Sequence, residues 1–225
     1  MEPRGKILPV YFVADQSGSM YENLDELNNG LQDLLTELQV EVFAASKIRF
    51  SLIGFANETA RYLENCDLTE LQSMPQLSCG GLTAYGSCFG FLADNIPFDV
   101  QALKSQGYSV HRPAVFFLTD GAPCGEPEGY WESEYQRLLS LREHPNILAF
   151  GIGDADPTII SQIATNPQYA LIQRPGANTG TALASFVQSL TQSVINSGYA
   201  MGGDQPAELK VEKPDDFLTI SVDEL

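Results

Sequence analysis

The chain opens on an apolar run, Ile7 to Ala14, which Asp15 ends. Eight mostly apolar, β-branched or aromatic residues bounded by turn formers suit a central parallel strand covered on both faces. Downstream, Leu24, Leu27, Leu31, Leu34, Leu35 and Leu38 recur at helical spacing and predict an amphipathic helix from about Glu22 to Gln39. Gly30 inside it costs up to about 1 kcal/mol against alanine, so close packing is expected there. Lys47 to Ala56 and Glu58 to Glu64 read as two strands joined by a tight turn, an antiparallel hairpin at a sheet edge.

The second half repeats the alternation. From Ala84 to about Gly107 the spacing of Cys88, Phe91, Leu92, Ile96, Val100 and Leu103 gives one helix interrupted near Pro97, or two in succession. Ala114 to Thr119 is a strand, Trp131 to Glu143 a helix, and Asn146 to Gly153 a strand. Asp156 and Pro157 read as the cap and first turn of a short helix through Ala164. Tyr169 to Gln173 is the last strand, and Leu183, Phe186, Val187, Leu190 and Val194 mark the last helix. Such alternation predicts an α/β fold: a doubly wound, mostly parallel sheet with one antiparallel edge strand and helices on both faces.

The pattern stops at Gly198. Residues 1–198 are therefore read as one domain, and residues 199–225, with seven acids and two lysines among Gly and Pro, as an acidic linker and tail outside it. Within the tail, residues 217–222 alternate, placing Leu218, Ile220 and Val222 on one face. That face is expected to add as a strand to a sheet edge of a partner or neighbouring copy; a disordered acidic end is the competing reading.

Charge narrows the partners. Twenty-nine acids against 12 bases give a formal net charge of −17, which argues against nucleic acid or an anionic membrane and favours a basic partner. Cys66, Cys79, Cys88 and Cys124 form no C-x-x-C pair, and His111 and His144 are the only histidines, so a zinc site is disfavoured. Reduced thiols, no run long enough to span a bilayer and no small-residue cleavage site after Ala14 lead to the expectation of a cytoplasmic protein.

The chemistry is carried by loops at one edge. In open α/β sheets ligands gather at the carboxyl ends of the strands, and the loop leaving the first strand is Asp15-Gln16-Ser17-Gly18-Ser19-Met20. Asp15, Ser17 and Ser19 at alternate positions offer hard oxygens, suited to Mg²⁺, Ca²⁺ or Mn²⁺. Thr83, in the glycine-rich turn 80–86, and Asp120, after the strand 114–119, supply two more. The competing reading of Asp and Ser after a strand is that they cap the next helix. A phosphate-binding reading of the glycines fails, because no G-K-[ST] follows them. The loop from Gly121 to Tyr130 is stiff and Pro/Gly-rich, so Glu126, Tyr130 and Trp131, with Tyr85 opposite, are candidate partner-binding residues; the two large aromatics are equally readable as the packed start of a helix.

With D-x-S-x-S at Asp15 to Ser19, a threonine on a second loop and an aspartate on a third, the chain resembles the von Willebrand factor A (vWA) family over roughly residues 6–197. That resemblance implies a metal-ion-dependent adhesion site (MIDAS) at Asp15, Ser17, Ser19, Thr83 and Asp120, with Mg²⁺ the preferred ion and Ca²⁺ or Mn²⁺ the alternatives. It also implies an open coordination position filled by an acidic side chain of a partner protein. Among family members the short intracellular bacterial TerY-like proteins of tellurium-resistance-type operons look most similar. They imply a non-catalytic adaptor acting with a kinase, phosphatase or AAA-type ATPase in stress or defence. A surface adhesion module is the alternative. A haloacid-dehalogenase-like phosphatase is remote, since Ser17 stands where that chemistry needs a second aspartate, and a serine hydrolase lacks its G-x-S-x-G elbow.

Overall fold

The computed structural model describes residues 4–202 and 209–220. Its sheet is built on β1 (Lys6–Asp15), which pairs in parallel with β2 (Ile48–Phe55) on one side. On the other side β1 pairs in parallel with β5 (Ala114–Thr119) and, at its start, with the short β4 (Ser109–Val110). Beyond β5 lie β6 (Asn146–Gly151) and β7 (Ala170–Gln173), both parallel. β3 (Thr59–Cys66) closes one edge, antiparallel to β2.

β1 shows why the apolar run is continuous rather than alternating. Its even residues, Leu8, Val10, Phe12 and Ala14, enter one core, and Tyr11 and Val13 enter the other. The first core is covered by α1 (Leu24–Val40), α2 (Val42–Ala45) and α6 (Thr179–Met201); the second by α3 (Tyr85–Ser105), α4 (Tyr130–Leu139) and α5 (Pro157–Ile163). Gly30 is the close approach its position in α1 implies: a Cβ there would stand 3.0 Å from Val187 of α6. α3 runs as one helix with Pro97 inside it, and Asp156 caps α5 by accepting from the Thr158 amide at 2.8 Å.

The tail departs from expectation. Rather than lying outside the domain and serving another sheet, Phe217–Thr219 form β8, antiparallel to β7, so that both edges of the sheet are antiparallel. The segment leading to it is held along α6 by serines spaced four apart. Ser185 donates to Asp216 at 2.6 Å, Ser189 to the Glu212 carbonyl, and the Ser193 and Ser197 hydroxyls accept from the Glu212 and Lys210 amides at 2.8 and 2.9 Å. Phe217 is fully buried, its ring 5.7 Å from that of Phe150. Leu218 faces outward, Ile220 packs on the second core, and Val222 lies outside the described residues. Burial of Phe217 joins the serine bonds along α6 in binding the tail to the domain. Truncating a buried phenylalanine costs about 3–5 kcal/mol, so Phe217→Ala and deletion after residue 201 should each lower the melting temperature by many degrees, as read by circular dichroism.

Candidate metal centre

Asp15 ends β1 one residue beyond the Ala14–Leu118 pair, which sets it beside Thr119 at the end of β5. Its carboxylate is fully buried. One oxygen accepts from the Thr119 hydroxyl at 2.6 Å and the other from the Ser17 amide at 2.8 Å. Thr119 in turn accepts from the Tyr85 hydroxyl at 3.0 Å, and Tyr85 also donates to the Gly121 carbonyl at 2.8 Å. These bonds fix the carboxylate from behind. Asp15 and the serines are not caps of the next helix: neither the 3-10 turn Gly18–Glu22 nor α1 has a side-chain cap.

The hydroxyls continue the network outward. Ser17 and Ser19 share a hydrogen bond of 2.9 Å, and Ser19 donates to Asp120 at 2.8 Å. Thr83 is buried at the same edge, and a Cβ on Gly121 would lie 3.9 Å from its hydroxyl oxygen. Among the described residues that hydroxyl makes no hydrogen bond, so its lone pairs remain available. Backbone bonds stitch the three loops together: Gly18 donates to Gly81 at 3.1 Å, Gly80 to Gln16 at 2.8 Å, and Cys124 to Thr83 at 2.9 Å. The structure thus brings Asp15, Ser17, Ser19, Thr83 and Asp120 to one edge.

Electrostatics make this edge costly without a cation. Burial pushes the Asp15 carboxyl above the usual carboxylate range, against the pull of its hydrogen bonds. Asp120 is raised as well, first by burial and then by the charges of Asp15 and Asp154, while its bond from Ser19 opposes the shift. Among the described residues no three His, Cys, Asp or Glu side chains cluster as a metal site, so the donors are two carboxylates and three hydroxyls. This set fits a small hard cation: oxygens only, and two negative charges in need of compensation.

The first comparison settles the family. The family model for the von Willebrand factor type A domain matches residues 10–179. The chain belongs to that family. Curated proteins give no match. Solved structures similar to this vWA domain include proximal thread matrix protein 1 from the mussel byssus, 18% identical over 86% of this chain and 49% of that one, with a TM-score of 0.59. A von Willebrand factor type A protein from Catenulispora acidiphila is 16% identical over 84% of this chain and 43% of that one, at 0.58. The pilus adhesin SpaC of Lactobacillus rhamnosus GG is 13% identical over 86% of this chain and 30% of that one, at 0.66. The chain spans half or less of each structure's length, and at these identities the likeness shows the fold. One structure of the mussel protein has a zinc-occupied MIDAS motif.

The partner-binding candidates fare differently. Tyr85 is buried, its ring edge-on to Phe55, Phe117 and Trp131, so it supports the site from within and cannot touch a partner. Glu126 accepts from the Gly86 and Ser87 amides at 2.7 Å each; it caps α3 and is not free to recruit. Trp131 packs on Tyr85, Phe89 and Tyr135, the helix-start reading. Tyr130 is 41% exposed and remains at the rim. Pattern reading passed over Thr119 and Gln16. Gln16 is buried, donating to Tyr62 at 2.8 Å and to the Ser78 carbonyl at 2.6 Å, in space that Gly54 leaves by having no side chain. A lone hydroxyl ending an apolar strand was the visible signal for Thr119.

Two outcomes are expected. Mg²⁺ should bind once by calorimetry and raise the melting temperature, by about 2.7 kcal/mol of stabilisation at a hundredfold excess over Kd; Asp15→Ala and Asp120→Ala should abolish both effects. The second follows from the sign of the shifts. A carboxyl whose folded pKa lies above its unfolded one costs stability when ionised, and the cost disappears as pH falls through the folded value. In chelator at neutral pH, Asp120→Asn, which keeps an acceptor for Ser19, should therefore melt at or above the wild-type temperature; a lower melting temperature would contradict this account.

Proposed function

We propose that this vWA domain is a non-catalytic, divalent-metal-dependent protein-binding adaptor of the intracellular bacterial TerY-like kind. The observation that carries the reading is the donor set itself, two carboxylates and three hydroxyls on cross-linked loops at the carboxyl edge of the sheet. Five protein oxygens leave one position of an octahedral shell open, and a carboxylate from a partner protein is a group that can fill it. Mg²⁺ is the preferred ion, because few protein carboxylates and retained waters suit its octahedral shell.

The non-catalytic reading is supported by where the histidines lie: His111 and His144 precede β5 and β6, at the opposite end of the strands from Ser17 and Ser19. A phosphatase of the aspartate-nucleophile kind would need a second carboxylate at position 17, where a serine stands. A cytoplasmic setting is supported by four free cysteines, with Cys88 buried. The partner class is a kinase, phosphatase or AAA-type ATPase encoded nearby, in stress or defence; that assignment rests on the resemblance to TerY-like proteins.

Co-purification with the products of flanking genes tests the reading. A complex retained in Mg²⁺ should be lost on chelation and in Asp15→Ala, while far-UV circular dichroism stays unchanged, since neither hydrophobic core is built from the five candidate ligands. Robust phosphatase activity of the isolated chain, abolished by Ser17→Ala, would overturn it.

A further inference from the structure

Away from the metal edge, a cleft of about 700 Å³ runs between α1 and α6. Its floor is formed where Gly30 meets Val187, so one missing side chain lets the helices approach and leaves their outer shoulders standing as walls. The wall formed by α1 and the 3-10 turn before it is acidic: Glu22, Asp25, Glu26, Asp33 and Glu37 line it, and no basic residue lines the cleft. Among the described residues none of these five side chains makes an ion pair or a hydrogen bond. Like charges four apart, as at Asp33 and Glu37, destabilise a helix, and no basic side chain lines the cleft to offset them.

Beyond Glu37 and Thr191, where the cleft's lining ends, α1 runs on into an exposed apolar patch, its foot. One turn beyond Glu37, Val40 is 77% exposed, and α2 adds Val42 and Phe43 at 58% and 50%. Phe43 stacks on Tyr199 of α6 at 5.6 Å, with Tyr199 itself 48% exposed. Lys47 lies over the Phe43 ring and Glu41 takes the Tyr199 hydroxyl bond, so charge at the foot is balanced while every charged residue lining the cleft above is acidic. Exposed aromatic and aliphatic side chains gathered at the end of a groove mark a contact surface.

We infer that this cleft is a second, metal-independent docking site, and that its occupant is a basic amphipathic helix of a partner protein. From Asp25 to Val40 the wall is about 22 Å long, at 1.5 Å per residue, the length of a helix of about 15 residues. Lysines or arginines at helical spacing would face the carboxylates, and an apolar residue at one end would rest on Phe43 and Tyr199. Charge complementarity selects this occupant over an acidic or wholly apolar helix.

The test uses the full chain in chelator and a fluorescent 15-residue lysine/leucine amphipathic peptide, with its lysine-to-glutamate counterpart as control, read by anisotropy. The triple variant Glu26→Gln, Asp33→Asn, Glu37→Gln should weaken binding of the basic peptide at least tenfold, and Phe43→Ser should weaken it further. An equal number of charges removed elsewhere, in Glu58→Gln, Glu70→Gln, Glu132→Gln, should change it less than twofold. The groove variants relieve repulsion at an exposed face, so their melting temperatures should hold or rise. Equal losses in the two triple variants would reduce the binding to attraction by net charge, and no saturable binding in the wild type would remove the site; either result overturns the inference. Because chelator is present throughout and Asp15→Ala should bind the peptide normally, failure here is separable from failure of the metal site.

Discussion

The fold is organised around one uncomfortable carboxylate. Asp15 is wholly buried at the end of a strand that is itself buried on both faces. An ionised group there is tolerable only when hydrogen bonds and a counter-charge replace water. Thr119 and the Ser17 amide provide the bonds, each assisted by the negative charge and worth about 1.5–3 kcal/mol. A cation at this edge would supply the counter-charge.

Everything behind that carboxylate serves to hold it still. The β1–β5 register sets Asp15 beside Thr119, Tyr85 reaches from α3 to hold Thr119, and Trp131 and Phe117 pack around the Tyr85 ring. Glu126 then ties the third loop to the start of α3, and the Thr83–Cys124 backbone bond ties it to the second. Three loops from three parts of the chain are thereby made into one rigid edge, which is what a small octahedral ion requires of its ligands.

The opposite balance holds on the α1–α6 face. There the acids are exposed and unpaired by ions within the domain, and water screens them, so their cost is small and their field reaches outward. A net charge of −17 is thus not spread without purpose: part is buried at the cation edge and part is displayed along a groove. The two surfaces follow different physics, the one set by coordination and the other by long-range attraction and apolar contact.

Much of this was legible in the order of residues. Continuous apolar runs at Ile7–Ala14 and Ala114–Thr119 determine parallel central strands, because no other environment buries both faces of a strand, and leucines at helical spacing determine α1. Loops that follow such strands open on one edge, so Asp15, Ser17, Ser19 and Asp120 could be named from their positions, whereas Thr83 stands on the loop between the antiparallel β3 and α3 and is brought to that edge by the tertiary structure. What only the tertiary structure decided was how side chains were shared between distant segments. Glu126 became a helix cap and Tyr85 a buried support, because which amide or hydroxyl lies opposite is fixed by packing and not by local pattern. The tail shows the same division. Its alternation predicted a strand, but the choice of its own β7 over another sheet was made by Phe217 finding the core beside Phe150 and by a column of serines on α6, at 185, 189, 193 and 197, that read locally as a polar helix face.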